Sequence, residues 1–457
     1  MIRPNIFVKP DVAAAIIAAT SASASASSGE AQVRLHERFH PVPQDHANFP
    51  QASLDKTMFG QTLALPSAPS LPGQTPAQPR ANKFPDLQLF LLEEFPLVTL
   101  KTILLAGVLL GCSSPEFASA CTRTLFIGDD NTVITGRNMD WSEDMGTNLW
   151  VFPADIARDG AAGPRSISWK SRYGSVIASG YDVGSADGMN EKGLVGNLLY
   201  LAESQYGKPA AGRPVLSISL WLQYALDNFS TVAETVDALA LEPFDIISPT
   251  LPNGQAASLH LAISDSKGDS AIFEYIDGKL KIHHGSQYRV MTNSPSYDQQ
   301  LAIDSYWKGI GGLAFLPGTN RAADRFARAS FLLGAIPTKT DPNYIRGVPQ
   351  RSFDYQAVAE VMSVQRAVGV PLGITTPNAP NIAATIWRTV ADQKNLVYYF
   401  DSATRPNTFW VSLSKLDFKP GAPVKKLTIA DGEVFSGETA DKFEVTAPFK
   451  FLPATAQ

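Results

Sequence analysis

The chain has few of the residues from which catalytic centres are most often built. Its 457 residues include two cysteines, Cys112 and Cys121, and six histidines, three of which precede residue 50. Two cysteines exclude a disulfide framework in a chain of this length and cannot form a cysteine-based zinc site. A His-based metal centre or a Ser-His-Asp triad would depend on His260, His283 and His284, and no H-x-x-x-H or H-E-x-x-H spacing is present. We therefore predict no metal site.

An excess of charge of one sign is also missing. Charged residues make up 18% of the chain, the formal net charge is −5 and the pI is near 5.7. No run is rich in lysine and arginine, so nothing favours binding to nucleic-acid phosphates. No apolar run reaches the roughly 18 residues that a membrane-spanning helix needs. With 44% hydrophobic residues the chain can bury a sizeable core, and we expect a globular protein without nucleic-acid binding or stable membrane insertion.

The first 97 residues differ in composition from the rest. They contain the low-complexity stretch TSASASASSGE and segments rich in proline, glutamine, alanine and serine, without a long apolar period. Such segments bury too little apolar surface to offset the entropy of ordering the chain. We predict that residues 1–97 are a disordered extension or are not part of the true reading frame.

A secretory signal is predicted for residues 98–120. Lys101 precedes the apolar run 102–110, and a more polar stretch ends in Ala118-Ser119-Ala120. A basic start, a short apolar centre and an A-x-A site are the features that signal peptidase requires. Cleavage after Ala120 would make Cys121 the first residue and would deliver residues 121–457 to the periplasm or the medium.

An alternative processing site precedes this one. The sequence LLGC, which ends at Cys112, is close to the lipobox of bacterial lipoproteins, although leucine before the glycine is unusual there. Lipidation of Cys112 would leave Cys121 inside the chain. The corresponding alternative function is an exported, lipid-anchored binding protein without catalysis.

From Cys121 onwards, strand patterns alternate with a few helices. TRTLFIG and VITGR, joined by DDNT, predict a hairpin, and further antiparallel strands are predicted in SLHLAISDS, SAIFEYIDGKLKIHH and NLVYYFDSATRPNTFWVSL. An apolar stripe predicts a helix between Ile218 and Phe229, and Thr231 with Glu234 forms a capping box for the next helix. Two more helices are predicted at 321–334 and 354–366. The order of elements indicates two sheets between helical layers.

A cysteine at the first position can act without histidine. An α-amine has a pKa of about 7.7 to 8.0, so it can accept the proton of the thiol on its own residue. A nearby cation would also lower the thiol pKa, and the hairpin brings the end of TGRNMDW, with Arg137 and Asp140, close to Cys121. Taken alone, these residues also fit an ordinary buried thiol and a strand-end ion pair, or a hydrolase that pairs Cys121 with His260 or His283.

Four separated motifs distinguish between these possibilities, because together they resemble one family of enzymes. CTRTLFIG with VITGRNMDW, SADGMNEKGLVGNLLY, YRVMTNSPSYDQQL and FLPGTNRAADRFARASF occur in this order. In sequence and order they resemble the choloylglycine hydrolase family of N-terminal-nucleophile amidases, which includes bile salt hydrolases and penicillin V acylases. The form NMDW and the signal resemble the Gram-negative branch. The resemblance implies an α+β fold, a four-layer αββα sandwich, and hydrolysis of linear amide C–N bonds without a cofactor.

The resemblance also implies roles for six residues. Cys121 matches the nucleophile, Arg137 the arginine beside the thiol and Asp140 the aspartate that holds the α-amine. Tyr200 matches a position that contributes to the oxyanion hole, and Asn293 matches the side-chain donor to the same oxygen. Arg325 matches the arginine that supports the site.

The substrate is less closely specified by the resemblance. N-acyl amides such as penicillin V, conjugated bile salts and N-acyl-homoserine lactones are all implied, with a slight preference for penicillin V from Tyr200. Trp141 and Trp150, in WSEDMGTNLWVFP, are predicted to bind the acyl group, since tryptophan readily lines apolar pockets, and plain core packing is the alternative for both. Relatives are often homotetramers, and we expect the same here by analogy.

Overall fold

The computed structural model describes residues 121–374 and 383–454. The predictions made for residues 1–97 and for the signal at 98–120, including lipidation of Cys112, lie outside the described residues. Within them, no helix is both long enough and apolar enough to cross a bilayer.

Strands make up most of the regular structure. In chain order the described residues contain β1 Thr122–Ile127, β2 Val133–Trp141, β3 Leu149–Phe152, β4 Ala157–Asp159, β5 Ser168–Lys170, β6 Ser175–Gly180, β7 Gly184–Asn190, β8 Val195–Tyr200, β9 Val215–Ser217, β10 Asp245–Ile247, β11 Leu259–Ser264, β12 Ser270–Ile276, β13 Lys279–His284, β14 Val290–Met291, β15 Ala384–Asp392, β16 Val397–Ser402, β17 Thr408–Ser412, β18 Lys425–Leu427, β19 Gly437–Glu438 and β20 Glu444–Val445.

Helices lie between groups of strands. The α-helices are α1 Trp221–Asn228, α2 Val232–Leu239, α3 Tyr297–Ile310, α4 Ala322–Ala335 and α5 Phe353–Val368. Short 3₁₀ turns occur at Ile218–Leu220, Ile345–Gly347, Pro349–Arg351, Leu413–Lys415 and Ala440–Lys442.

Two large sheets form the centre of the fold. The first has the strand order β14-β1-β2-β15-β16-β17-β19, and the second β13-β12-β11-β8-β7-β6-β3-β18-β20. Helices α4 and α5 pack on the first sheet, with α3 against α4, while α1 and α2 pack on the second. The predicted α+β sandwich of four layers, αββα, is confirmed.

Strand β2 shows how the layers are built. All nine of its residues are buried, because one face meets helix α5 and the other meets the second sheet. Gly136 faces α5 so closely that a Cβ atom there would lie 2.8 Å from Val361. Residues at odd positions face the second sheet, where Thr135 bonds to Ser264 at 2.7 Å. Side chains that alternate along one strand therefore serve two different interfaces.

Most predicted elements are confirmed. The hairpin pairs Thr122 with Asn138 through Ile127 with Val133, and the side chain of Thr231 accepts a hydrogen bond from Glu234 N at 3.2 Å as the capping box requires. The apolar stripe that begins at Ile218 forms a 3₁₀ turn followed by α1, and the other two predicted helices correspond to α4 and α5. Helix α3 was not predicted, since two of its three buried residues, Gln300 and Asp304, are polar.

Candidate active site

Cys121 lies immediately before β1, the strand of the first sheet that lies between β2 and the edge strand β14. Its side chain is 1% exposed and points between the two sheets. The Sγ atom lies 3.8 Å from Met139 Sδ and donates to the carbonyl oxygen of Asp140 at 3.6 Å. The thiol is therefore held against the neighbouring strand β2.

Arg137 is the cation nearest to this thiol. It projects from β2 into the interface between the sheets, with Nη2 3.9 Å from Cys121 Sγ. Nη2 also donates to the carbonyl of Leu198 at 2.8 Å, and the guanidinium lies 4.7 Å from the centre of the Trp387 ring. Asp187, on β7, has a carboxylate oxygen 4.0 Å from Nη1. These contacts from both sheets fix the guanidinium beside the sulfur.

Burial has the largest effect on the pKa of the Cys121 thiol. Removal from water raises the pKa of Cys121, because the thiolate loses its solvation. The positive charge of Arg137 opposes this rise and the negative charge of Asp140 adds to it. At neutral pH the thiol therefore carries its proton and needs a base before it can attack.

Asp140 occupies the opposite face of β2, among groups that favour its ionised form. Its Oδ1 accepts from the hydroxyl of Thr385 at 2.5 Å, and its Oδ2 lies 3.8 Å from Arg325 Nη1. Burial raises the pKa of Asp140 to about 6, with Arg325 and then Thr385 acting to lower it. Among the described residues, Oδ2 has no hydrogen-bond donor. This oxygen can accept a hydrogen bond from a further cationic group near Cys121.

Arg325 joins the cysteine to the loop that follows β14. This fully buried residue of α4 donates from Nη1 to the carbonyl of Cys121 at 2.6 Å and from Nη2 to Asn293 Oδ1 at 2.9 Å. A guanidinium can only donate, so the amide oxygen of Asn293 must face it. The amide nitrogen then donates to the carbonyl of Tyr200 at 2.7 Å. One N–H of the Asn293 amide is left over after these contacts.

A narrow cavity of about 80 Å³ opens next to Cys121. The ring of Tyr200 stands edge-to-face against Trp141, with centroids 6.3 Å apart, and Trp141 Nε1 donates to Tyr181 at 2.7 Å. The wall is mostly apolar and includes Trp141, Met145, Tyr181, Tyr200, Leu251 and Leu259. An apolar group bound there would reach the thiol.

Comparison with known proteins agrees with this geometry. The model of the linear amide C–N hydrolases, choloylglycine hydrolase family, matches residues 121–425. The chain belongs to the choloylglycine hydrolase family. It is a hydrolase of linear amide C–N bonds, as the sequence predicted.

Three relatives illustrate its place in the choloylglycine hydrolase family. Penicillin V acylase of Pectobacterium atrosepticum is 48% identical over 349 residues, which cover 73% of this chain and 92% of that protein. A solved structure of penicillin V acylase from Agrobacterium tumefaciens, 52% identical, matches with a TM-score of 0.66 over 73% of this chain and 100% of that one. A bile salt hydrolase/transferase of Bifidobacterium longum is 25% identical over 248 residues, 48% of this chain and 76% of that protein.

The structure brings seven of the eight predicted site residues together and separates the eighth. Trp150 does not reach the cavity, so its assignment to the acyl pocket was wrong. Neighbouring Leu149 and Val151 face the space between the sheets, and strand alternation turns Trp150 to the other side of β3. There it packs on Phe449 at 5.1 Å between ring centres and donates to Asp182 at 2.8 Å. Trp150 is part of the outer core.

The histidine alternatives also fail. Both ring nitrogens of His260 are used by other partners, Glu274 Oε1 at 2.9 Å and the carbonyl of Thr292 at 2.8 Å. His283 packs against the rings of Tyr288 and Tyr297. Neither bonds to Cys121 in the part of the chain that the structure describes. In residues 121–374 and 383–454, no three His, Cys, Asp or Glu side chains are grouped as metal ligands.

Sequence reasoning missed three residues that complete the site. Thr385 holds Asp140, Asp187 faces Arg137, and Tyr181 holds Trp141. Asp187 stands in the motif SADGMNEKG, so its place in a family motif was a signal that could have been followed. Thr385 gave none, since only the pairing of β15 with β2 brings it to the site. Tyr181 lies in the turn between β6 and β7 and meets Trp141 only because the two sheets face each other.

Proposed function

We propose that the protein is an N-terminal-nucleophile amidase in which Cys121, with a free α-amine, attacks the carbonyl carbon of an N-acyl amide. The observation that supports this most strongly is the convergence of Arg137, Asp140, Asn293 and Arg325 around one buried thiol at the end of an apolar cavity.

The reaction has two stages. In the first, the α-amine takes the thiol proton and the thiolate adds to the carbonyl carbon. Asn293 and the Tyr200 region hold the resulting oxyanion. When the C–N bond breaks, the α-ammonium gives its proton to the leaving amine and a thioester remains. In the second stage the α-amine takes a proton from water and the hydroxide adds to the thioester. The C–S bond then breaks, the α-ammonium returns its proton to the leaving sulfur, and the carboxylic acid is released with the thiol and the free α-amine restored.

The environment of each group supports its role. The raised thiol pKa makes a base necessary, and the α-amine is placed on the same residue. Arg137 stabilises the thiolate through its charge. Asp140 Oδ2 is available to hold the α-ammonium. Asn293 has one amide N–H left over, and one such preorganised donor contributes about 3 kcal/mol in comparable sites.

The cavity supports a small apolar acyl group as substrate. Its volume of about 80 Å³ is roughly half that of the ~150 Å³ apolar cavity that binds benzene. Its apolar wall suits an aryl ring, with the rest of the acyl group in the open mouth of the cavity. Together with the similarity to two penicillin V acylases, this favours phenoxyacetyl amides over conjugated bile salts as substrates of this chain.

Location and assembly complete the proposal. A signal ending at Ala120 would place the enzyme in the periplasm or the medium and would create the α-amine in the same cut. A homotetramer is proposed by analogy with relatives. It is supported by the exposed apolar side chains of Tyr306, Leu313 and Phe315, which are 66%, 97% and 58% exposed near the end of α3. Light scattering on the purified enzyme would give the mass of the assembly.

The test begins with the mature chain exported from a Gram-negative host. Intact mass and N-terminal sequencing should give Cys-Thr-Arg, and penicillin V should be hydrolysed faster than glycine-conjugated bile salts. Cys121→Ser should lower kcat by at least about 10³-fold, while Cys112→Ser serves as the matched control. A chain that starts at lipidated Cys112 and hydrolyses neither substrate would favour the lipid-anchored binding protein.

A further inference from the structure

His260 connects the two sheets beside the candidate oxyanion site. It lies on β11, where the register places it directly across from Glu274 on β12, and both side chains are 1% exposed. His260 Nε2 reaches across to the carbonyl of Thr292 at 2.8 Å. Thr292 follows β14, the edge strand of the first sheet. The imidazole thus bridges the second sheet to the edge of the first.

The partners of the imidazole determine its hydrogen positions. The Thr292 carbonyl can only accept, so Nε2 carries a hydrogen. Nδ1 lies 2.9 Å from Glu274 Oε1, while Glu274 Oε2 accepts from the backbone N–H of Tyr297 at 3.0 Å. One proton is shared along the contact between Nδ1 and Oε1. Whichever atom carries that proton, Nε2 donates to Thr292.

This bond acts on the backbone of Asn293. The carbonyl of Thr292 belongs to the peptide group that enters Asn293, and the carbonyl of Asn293 accepts from Gln300 Nε2. The peptide groups on both sides of Asn293 are therefore anchored. Its side chain is in turn oriented by Arg325 and the Tyr200 carbonyl.

We propose that His260, supported by Glu274, is a positioning residue that holds Asn293 where its amide N–H meets the oxyanion. This inference rests on the proposed function, because it requires Asn293 to be the donor. His260 acts through the backbone and does not touch the thiol, which distinguishes it from a general base. A displacement of about 1 Å at such a donor can cost about 10²-fold in rate.

The test compares steady-state kinetics with alkylation of Cys121 by iodoacetamide in the mature enzyme. Alkylation requires the thiolate but no oxyanion donor. His260→Ala should lower kcat with penicillin V by about 10- to 100-fold, with KM and the alkylation rate changed by less than about threefold. The amide N–H of His260→Gln can reach the Thr292 carbonyl. The kcat of this variant should therefore be at least about fivefold higher than that of His260→Ala. A kcat loss matched by an equal loss of alkylation rate would overturn the proposal.

A double variant isolates the route through Asn293. If His260 acts through this residue, His260→Ala should lower kcat by less than about threefold in an Asn293→Ala background. Losses that multiply in the double variant would overturn the positioning role while leaving the proposed function intact. Asn293→Ala with wild-type kcat would instead contradict the assignment of Asn293 itself, and the inference would fall with it.

Glu274→Gln provides a second variant if His260→Ala does not fold. Its amide N–H can donate to Nδ1 and its amide oxygen can accept from Tyr297 N, so both hydrogen bonds of the carboxyl group are replaced without charge. If His260 acts only by positioning Asn293, kcat of Glu274→Gln should be less than about fivefold below that of the wild type. A loss above about 10²-fold with normal circular dichroism would show that a charged pair is needed, and the positioning role would be contradicted.

Discussion

Asp140 illustrates how single groups set the chemistry of this site. Its pKa is raised to about 6 because burial disfavours the charge, whereas the Arg325 guanidinium and the Thr385 hydroxyl favour it. The folded protein thus binds the proton of Asp140 more tightly than the unfolded chain does. The resulting cost to stability is absent below the ordinary pKa of 3.8 and fully present above about 6. Ionised Asp140 therefore opposes folding, and in the proposed mechanism it is the partner of the α-ammonium.

Thr385→Val should shift the pH profile of the enzyme. Loss of the hydroxyl removes a hydrogen bond to ionised Asp140 and raises its pKa, so the acidic limb of kcat/KM should move to higher pH. In the wild type this limb also includes the α-amine of Cys121, which must lose its proton before it can take that of the thiol and whose ordinary pKa is about 7.7 to 8.0. Thr385→Ser retains the hydroxyl and should retain the profile. A limb that stays in place in Thr385→Val would contradict the role of Asp140.

At the scale of the element, alternation along a strand decides which side chains face the cavity beside Cys121. Trp141 on β2 faces the cavity and Trp150 on β3 faces away from it, although they are only nine positions apart in sequence and both are buried. Local patterns predicted the β1–β2 hairpin and the helices α1, α2, α4 and α5. They did not specify which face of a wholly buried strand such as β2 belongs to which layer, since both faces are buried.

The two tryptophans should respond differently to the same substitution. Trp141→Phe removes the bond to Tyr181 and part of the cavity wall, so KM for penicillin V should rise by about three- to tenfold. Trp150→Phe loses the bond to Asp182 and should lower the free energy of unfolding by about 1 kcal/mol, with KM unchanged. Steady-state kinetics and urea denaturation on both variants would check this. A KM effect confined to Trp150→Phe would contradict the cavity described here.

Long-range pairing explains which parts of the site were hidden from sequence reasoning. Strand β15 pairs with β2 across more than 240 residues of sequence and brings Thr385 to Asp140. The facing of the two sheets likewise brings Asp187 to Arg137. Six candidate catalytic positions were predicted because each stands in a motif that resembles one of the family. The partners that hold these side chains depend on the packing of whole layers.

At the scale of the whole molecule, small residues set how closely a helix layer can approach its sheet, and Gly136 does so between β2 and α5. A Cβ atom on Gly136 would approach Val361 and Gln365 of α5, so Gly136→Ala should push helix and sheet apart and cost about 1 to 3 kcal/mol of unfolding free energy. Gly334→Ala in α4 meets no neighbour and should be neutral or stabilising by up to about 1 kcal/mol. Urea denaturation of both variants measures the difference. Equal stabilities would contradict tight packing between β2 and α5.

The residue with which the chain begins decides whether Cys121 carries a free α-amine. A chain that starts Met-Cys121 exposes the α-amine once methionine is removed, whereas a chain that starts Met-Ala120-Cys121 retains Ala120 and an amide at Cys121. The retained residue should lower kcat by about 10²- to 10⁴-fold, because an amide nitrogen cannot accept the thiol proton. Its melting temperature should change little, since the core contacts remain. Equal activity of the two chains would show that Cys121 has another base, and the charged groups around it would then need a different explanation.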